Sequence, residues 1–91
     1  MYAIYQSGAA IYGVGATPEA AWQAARQWLD PDTTLEDIHP AVQRGEVPGD
    51  LYLRPCSEAV ADAVRTGGGT QAYMINEEGR LRLTRELTED A

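Results

Sequence analysis

Several residue types and patterns are scarce or missing in this 91-residue chain. It has no lysine and no phenylalanine, and only one cysteine and one histidine. A single cysteine excludes an internal disulfide, and the N-terminus lacks the basic start and apolar core of a secretory signal, so we expect a cytoplasmic protein. No apolar run approaches the roughly 20 residues that span a bilayer, and we expect no membrane partner.

Basic residues are scarce too, with seven arginines against fourteen acidic residues and a net charge of −7. Residues 30–62 hold eight acidic residues and two arginines, a balance of −6, whereas residues 1–29 are neutral. A surface of this sign repels phosphate backbones and attracts basic proteins. We therefore expect no direct nucleic-acid binding. The use of arginine without lysine, beside abundant alanine, indicates a GC-rich bacterial or phage genome.

The composition is that of a globular protein, at 44% hydrophobic and 23% charged residues. Ninety-one residues suffice for one modest hydrophobic core, so we predict a single small domain over residues 1–91.

The first third of the chain predicts a β-hairpin and then a helix. Residues 2–14 alternate as two strands around the turn pair Ser7-Gly8. Thr17 is a good N-cap, and Pro18 suits the first position of a helix that extends to about residue 29. The buried stripe of this helix is predicted to contain Ala21, Ala25, Trp28 and Leu29.

Residues 30–49 form a long acidic connection that contains prolines and glycines. A short helical turn starting at Thr34 and another ending at Gly45 are predicted within it.

The rest of the chain predicts a strand, a second helix and a second hairpin. The strand covers residues 51–54, and the helix covers residues 58–66 between an N-cap at Ser57 and a left-handed cap at Gly67. Its predicted buried stripe is Ala59, Val60, Ala63 and Val64. Strands over residues 70–76 and 80–87 follow, with a frayed tail over residues 88–91.

These elements occur in the order β-β-α-β-α-β-β. The fold class predicted from them is an α+β two-layer sandwich, with both helices packed on one face of a mainly antiparallel sheet.

Four carboxylates lie close together after the first helix, and we call them the acidic segment: Asp30, Asp32, Glu36 and Asp37. Calcium loops also use oxygen-rich runs, but the required glycine and closing glutamate are missing here, so no metal site is predicted. A solvated segment and a docking surface for a basic partner both fit, and we take these four residues as the candidate partner-binding residues.

Cys56 and His39 are the weak candidates for catalysis. Cys56 precedes the second helix, whose dipole can lower the pKa of a thiol, and a Cys–His pair is the minimal nucleophile arrangement. No third orienting residue or oxyanion hole is indicated, and lone cysteines are usually buried. We therefore expect a protein that is not an enzyme, and keep a thiol-dependent enzyme as the alternative.

Glycine-rich stretches do not predict a nucleotide cofactor. Gly13-Val14-Gly15 lies between a strand and a helix, but the third glycine of the dinucleotide fingerprint is replaced by Pro18. Gly67-Gly68-Gly69 follows a helix instead of preceding one and lacks the Gly-Lys-Ser/Thr of a phosphate loop. No cofactor is expected.

The stretch Gly15-Ala16-Thr17-Pro18-Glu19-Ala20-Ala21, with Ala25, resembles the strand-to-helix segment of HicB-type antitoxins, a pattern close to G-x-T-x-E-x-A-x-x-x-A. The resemblance covers residues 15–25. It implies a small α+β domain that binds and blocks a basic RNA-cleaving toxin. The family's Pro-rich segment before the second strand is absent here.

The function predicted from these observations is a small acidic protein-binding module, of the antitoxin, immunity or phage-inhibitor kind, that docks on a basic protein. The alternatives are the thiol-dependent enzyme and a homodimerising structural domain that pairs through an edge strand.

Overall fold

The computed structural model of the chain describes residues 1–40, 49–77 and 79–84. Its elements are, in order, β1 (Tyr2–Gln6), β2 (Ile11–Gly15), α1 (Pro18–Ala25), a 3₁₀-helix (Arg26–Trp28), a second 3₁₀-helix (Leu35–Asp37), β3 (His39–Pro40), β4 (Leu51–Pro55), α2 (Glu58–Gly67), β5 (Tyr73–Ile75) and β6 (Leu81–Leu83). The predicted α+β class is confirmed. The predicted order of hairpin, helix, strand, helix and hairpin is also found, with the two-residue strand β3 added.

The main sheet has the strand order β2-β1-β4-β3. β1 lies in the centre and pairs antiparallel with both β2 and β4, while β3 adds a short parallel edge beside β4. β5 and β6 form a separate antiparallel hairpin. Because β2 is at one edge of the main sheet, its outer side borders a surface instead of another strand.

The two helices pack against opposite faces of the main sheet, so the predicted placement of both on one face is wrong. Ile4 of β1 belongs to a core cluster with Ala21 and Ala25 of α1. The neighbouring residues Ala3 and Tyr5 belong to a second cluster that contains α2 and the hairpin β5–β6. The physical reason is that β1 is apolar on both faces, and both faces need cover.

α1 lies unusually close to β2 because two glycines of that strand leave room for it. A Cβ atom added at Gly15 would lie 2.6 Å from the backbone nitrogen of Ala21, and one added at Gly13 would lie 2.5 Å from the Ala21 carbonyl oxygen. The helix begins as predicted, with the Thr17 hydroxyl accepting a hydrogen bond from the backbone N–H of Ala20 at 3.1 Å.

The chain leaves the α-helical path after Ala25, and the predicted burial of Trp28 is wrong. Residues 26–28 form a 3₁₀-helix, and Leu29 is extended, with ψ 163°. In a 3₁₀-helix residue i+3 lies above residue i, so the tighter turn by itself does not rotate Trp28 away from Ala25; it carries Trp28 roughly 6 Å along the axis past the end of α1. Leu29 still packs against the α1 cluster, whereas Trp28 is 69% exposed.

α2 begins where predicted, since the Ser57 hydroxyl accepts a hydrogen bond from the backbone N–H of Val60 at 3.2 Å. Its C-terminal cap is Gly68, with φ +88°, and not Gly67, which is the last helical residue. The added residue lengthens the helix by a third of a turn. Its buried residues are Val60, Ala61 and Ala63.

Residues 30–40 are held against the α1 side of the molecule. The predicted helical turn is found one residue later than Thr34, as the 3₁₀-helix Leu35–Asp37. Leu35 and Ile38 both pack into the α1 cluster, so this part of the acidic connection is anchored at two points. The predicted turn ending at Gly45 and the tail 88–91 lie outside the described residues. No helix within the described ranges is both long and apolar enough to cross a membrane.

Candidate functional site

A groove of about 500 Å³ opens along the outer edge of β2. One wall is the C-terminal end of α1 and the following 3₁₀-helix, with Ala24 and Trp28 lining the groove. The opposite wall is the last turns of α2 and the loop after it, where Val64 and Arg65 line the groove. Its volume lies in the range of sites that hold a small ligand or a few side chains.

A backbone contact joins β2, the floor of the groove, to the loop after α2. The backbone N–H of Ile11 in β2 donates a hydrogen bond to the Gly69 carbonyl at 2.9 Å. A Cβ atom added at Gly69 would collide with the Ile11 carbonyl oxygen, so only glycine lets the loop approach this closely. The floor and one wall of the groove are therefore joined through backbone atoms.

Trp28 is the most conspicuous surface residue of this region. Large apolar side chains are usually buried, yet Trp28 is 69% exposed on the rim of the groove. Tryptophan is enriched among the residues that contribute most to protein–protein binding, because it buries a large rigid area at low entropic cost. An exposed tryptophan at the edge of an apolar groove is therefore typical of a binding surface.

The acidic segment begins directly beyond Trp28. Asp30, Asp32 and Glu36 are all exposed, while the side chain of Asp37 lies outside the described part of the structure. Asp30 and Trp28 are two residues apart, so their Cα atoms are at most roughly 7 Å from each other. Asp30, one of the predicted partner-binding residues, thus lies close to an exposed aromatic residue that the sequence pattern placed in the core.

Asp30 shapes the turn that carries these carboxylates. Its Oδ1 atom accepts a hydrogen bond from the backbone N–H of Asp32 at 2.9 Å, and its carbonyl accepts one from Thr33 at 2.9 Å. Pro31 occupies the second position of this turn, where its fixed φ is favourable. The turn keeps Asp30 and Asp32 close together, and it gives the surface two carboxylates on a constrained backbone.

The two candidate catalytic residues are not adjacent. Cys56 is 3% exposed and belongs to the core cluster on the α2 side. The backbone of His39 pairs with Tyr52 of β4, and Cys56 lies four residues after Tyr52, just past the end of β4, which corresponds to roughly 13 Å of extended chain. The side chain of His39 is outside the described part of the structure. A burial of this kind is typical of a structural cysteine.

Arg54 is a buried charge that the sequence analysis did not single out. It is 3% exposed, its Nε donates a hydrogen bond to the Tyr5 hydroxyl at 2.8 Å, and one terminal nitrogen donates to the Gly79 carbonyl at 3.0 Å. A smaller depression of about 300 Å³ lies above it. These bonds connect β4 to the β5–β6 turn, so the guanidinium has a structural role.

Across the described residues, no cluster of three or more His, Cys, Asp or Glu side chains is arranged to hold a metal ion. Comparisons with protein-family models, with curated proteins and with solved structures found no match.

Two parts of this site were missed by the sequence analysis, and each has a sequence signal. Trp28 follows Gln27 and precedes Asp30-Pro31, and a proline so close behind indicates that the last helical turn is irregular. Gly69 is one of three consecutive glycines, which predict a connector but not the strand edge against which it packs. The three glycines therefore indicate that the backbone can pack closely against something at this point, but they do not indicate that it packs against β2.

Proposed function

We propose that this protein is a non-enzymatic binding module that docks on a basic protein through the surface formed by Trp28 and the acidic segment. The observation that carries the proposal is the exposure of Trp28 beside Asp30 and Asp32. A buried aromatic anchor surrounded by complementary charge is a recurrent design of protein interfaces.

Trp28, Asp30 and Asp32 lie within five consecutive residues, so a single interface can cover all three. A standard interface buries about 800 Å² on each partner, which corresponds to a patch roughly 30 Å across. Trp28 and the Asp30 turn fit well inside such a patch. The net charge of −7 speeds the encounter with a basic partner and discourages binding to acidic surfaces.

A binding module of this kind can act as an inhibitor of its partner. The resemblance of residues 15–25 to HicB-type antitoxins, together with the acidic charge, favours an antitoxin, immunity or phage-type inhibitor that acts in the cytoplasm. Such a protein works by occlusion, so it needs no catalytic residues of its own. The partner of an antitoxin of this kind is a basic RNA-cleaving enzyme.

The first test is a capture experiment from nuclease-treated lysate of the source organism, followed by calorimetry with the purified partner at several salt concentrations. One variant neutralises the acidic segment with isosteric amides, which retain the oxygen that forms the Asp30 turn: Asp30→Asn, Asp32→Asn, Glu36→Gln and Asp37→Asn. A charge-matched control neutralises four exposed acids elsewhere: Glu19→Gln, Glu58→Gln, Asp62→Asn and Glu77→Gln.

We expect a stoichiometric basic protein whose capture declines as salt rises. The acidic-segment variant should bind at least about 10-fold more weakly with a shallower salt dependence, and the control should lose much less. Trp28→Ala should weaken binding by about 2 kcal/mol, or roughly 30-fold. Equal losses in the two charge variants would show that only the overall charge matters, and the docking surface would be wrong.

A further inference from the structure

The groove beside Trp28 has a defined shape before any partner arrives. Its floor is the edge strand β2, and the backbone hydrogen bond from Ile11 to Gly69 ties that floor to the loop after α2. A site that is already formed loses little entropy on binding, so the energy of filling it is retained as affinity.

The lining of the groove selects an apolar occupant. Ile11, Val14 and Val64 contribute to it from β2 and α2, and Ala24 contributes from α1. A volume of about 500 Å³ is too small for a folded element but large enough for one or two large side chains.

The charges beside the groove favour particular neighbours for an apolar side chain bound in it. Just after Trp28 the chain presents the exposed carboxylates of Asp30 and Asp32, and the net charge of the whole chain is −7. Arg65 stands on the opposite wall. A positive residue beside the apolar group is therefore attracted to the Trp28 side and repelled from the Arg65 side. A second copy of this chain carries the same negative charge, which opposes its binding here.

From this arrangement we infer that the groove takes a large apolar side chain from an extended basic segment of the partner, whose neighbouring arginine or lysine residues contact Asp30 and Asp32. The inference rests on the proposed function and adds the chemistry of the partner's contact segment. The apolar side chain is the anchor, and the basic residues set its orientation in the groove.

The test is selection from a random linear peptide library displayed on phage, followed by affinity measurements with synthetic peptides of the selected sequences. The test variant is Ala24→Leu, which fills the groove from the α1 wall without changing charge. Its matched control is Ala20→Leu, because Ala20 is an exposed alanine of the same helix that does not line the groove. Thr70→Leu fills the groove from the other wall. It replaces Ala24→Leu in the test if Ala24→Leu has a much lower Tm than the wild type.

We expect the selected peptides to share a large apolar residue flanked by arginine or lysine. Ala24→Leu should weaken their binding at least 10-fold, and Ala20→Leu should change it less than 3-fold. Arg65→Gln should leave the affinity unchanged or raise it, because it removes a charge that repels the basic segment.

Several results would overturn the inference. These are no enriched sequence, an enriched sequence that is acidic or lacks a large apolar residue, full binding by Ala24→Leu, and a loss of 10-fold or more with Arg65→Gln. If Ala24→Leu binds the partner normally while the acidic-segment variant does not, only the groove assignment fails. If the acidic-segment variant binds normally at all salt concentrations, the proposed function itself fails.

Discussion

The contact between α1 and β2 leads to a sharp prediction about Gly13. A Cβ atom at this position would lie 2.5 Å from the Ala21 carbonyl oxygen and 2.8 Å from the Ala25 Cα, and it would also collide with the Ala25 nitrogen. All of these are backbone atoms of the helix, so no side chain can rotate away. Gly13 is not among the glycines with positive φ, so alanine is compatible with its backbone conformation and only the contact opposes it.

The expected cost follows from how far the helix must move. Ordinary contacts of a Cβ atom begin at about 3.4 Å, so α1 must retreat by roughly 1 Å, and a gap of that size removes a quarter to a half of each dispersion contact it opens. Overpacking of this kind typically costs 1–3 kcal/mol, and we expect Gly13→Ala to lower the free energy of unfolding by about 3 kcal/mol. For a domain of this size, that lowers Tm by roughly 12–24 °C.

The measurement is urea denaturation followed by circular dichroism, with the slope against urea checked for constancy. The matched control is Gly67→Ala at the end of α2, where the added Cβ meets only the flexible Gln71 amide nitrogen, at 3.0 Å. We expect this control to leave the stability unchanged or to raise it, because alanine has a higher helix propensity than glycine. If Gly13→Ala stays within about 0.5 kcal/mol of the wild type, α1 does not lie against β2 as described.

Two further predictions concern the first helix and the lone thiol. Thr17→Ala removes the side-chain oxygen that accepts the Ala20 N–H bond and should cost about 1 kcal/mol in urea denaturation, whereas Thr17→Ser should retain most of the stability. Cys56, at 3% exposure, should react with iodoacetamide far more slowly in the native protein than in urea. Fast labelling of the native protein would contradict this burial and favour the thiol-dependent enzyme instead.

The elements that the sequence predicted well are those determined by short-range physics. Thr17-Pro18 and Ser57 begin their helices where expected, because capping depends on a hydroxyl and on the few backbone N–H groups that follow it. Gly8 adopts the positive φ that a tight hairpin requires, and Leu81 and Leu83 are both buried, since residues two apart lie on the same face of a strand. Each of these outcomes is decided within about four residues of chain.

The candidate site was predicted only in part, for a reason that Trp28 illustrates. Its spacing from Ala21 and Ala25 matches a buried helical stripe, but Trp28 lies three residues past the end of α1 and is 69% exposed. The acidic segment was recognised from composition, since a run of carboxylates is visible without a fold. The position of this segment after an exposed tryptophan beside a groove could not be recognised in this way, because it depends on where α1 ends.

The sequence by itself determined the α+β class, the order of the main elements, the helix starts and the acidic character of the surface. These follow from local hydrogen bonding, from periodicity and from the count of charges. The tertiary structure decided which face each helix covers, because β1 is apolar on both sides and its pattern does not say which helix covers which. It also decided the close packing at Gly13 and Gly69 and the groove beside Trp28, which exist only where segments distant in sequence meet.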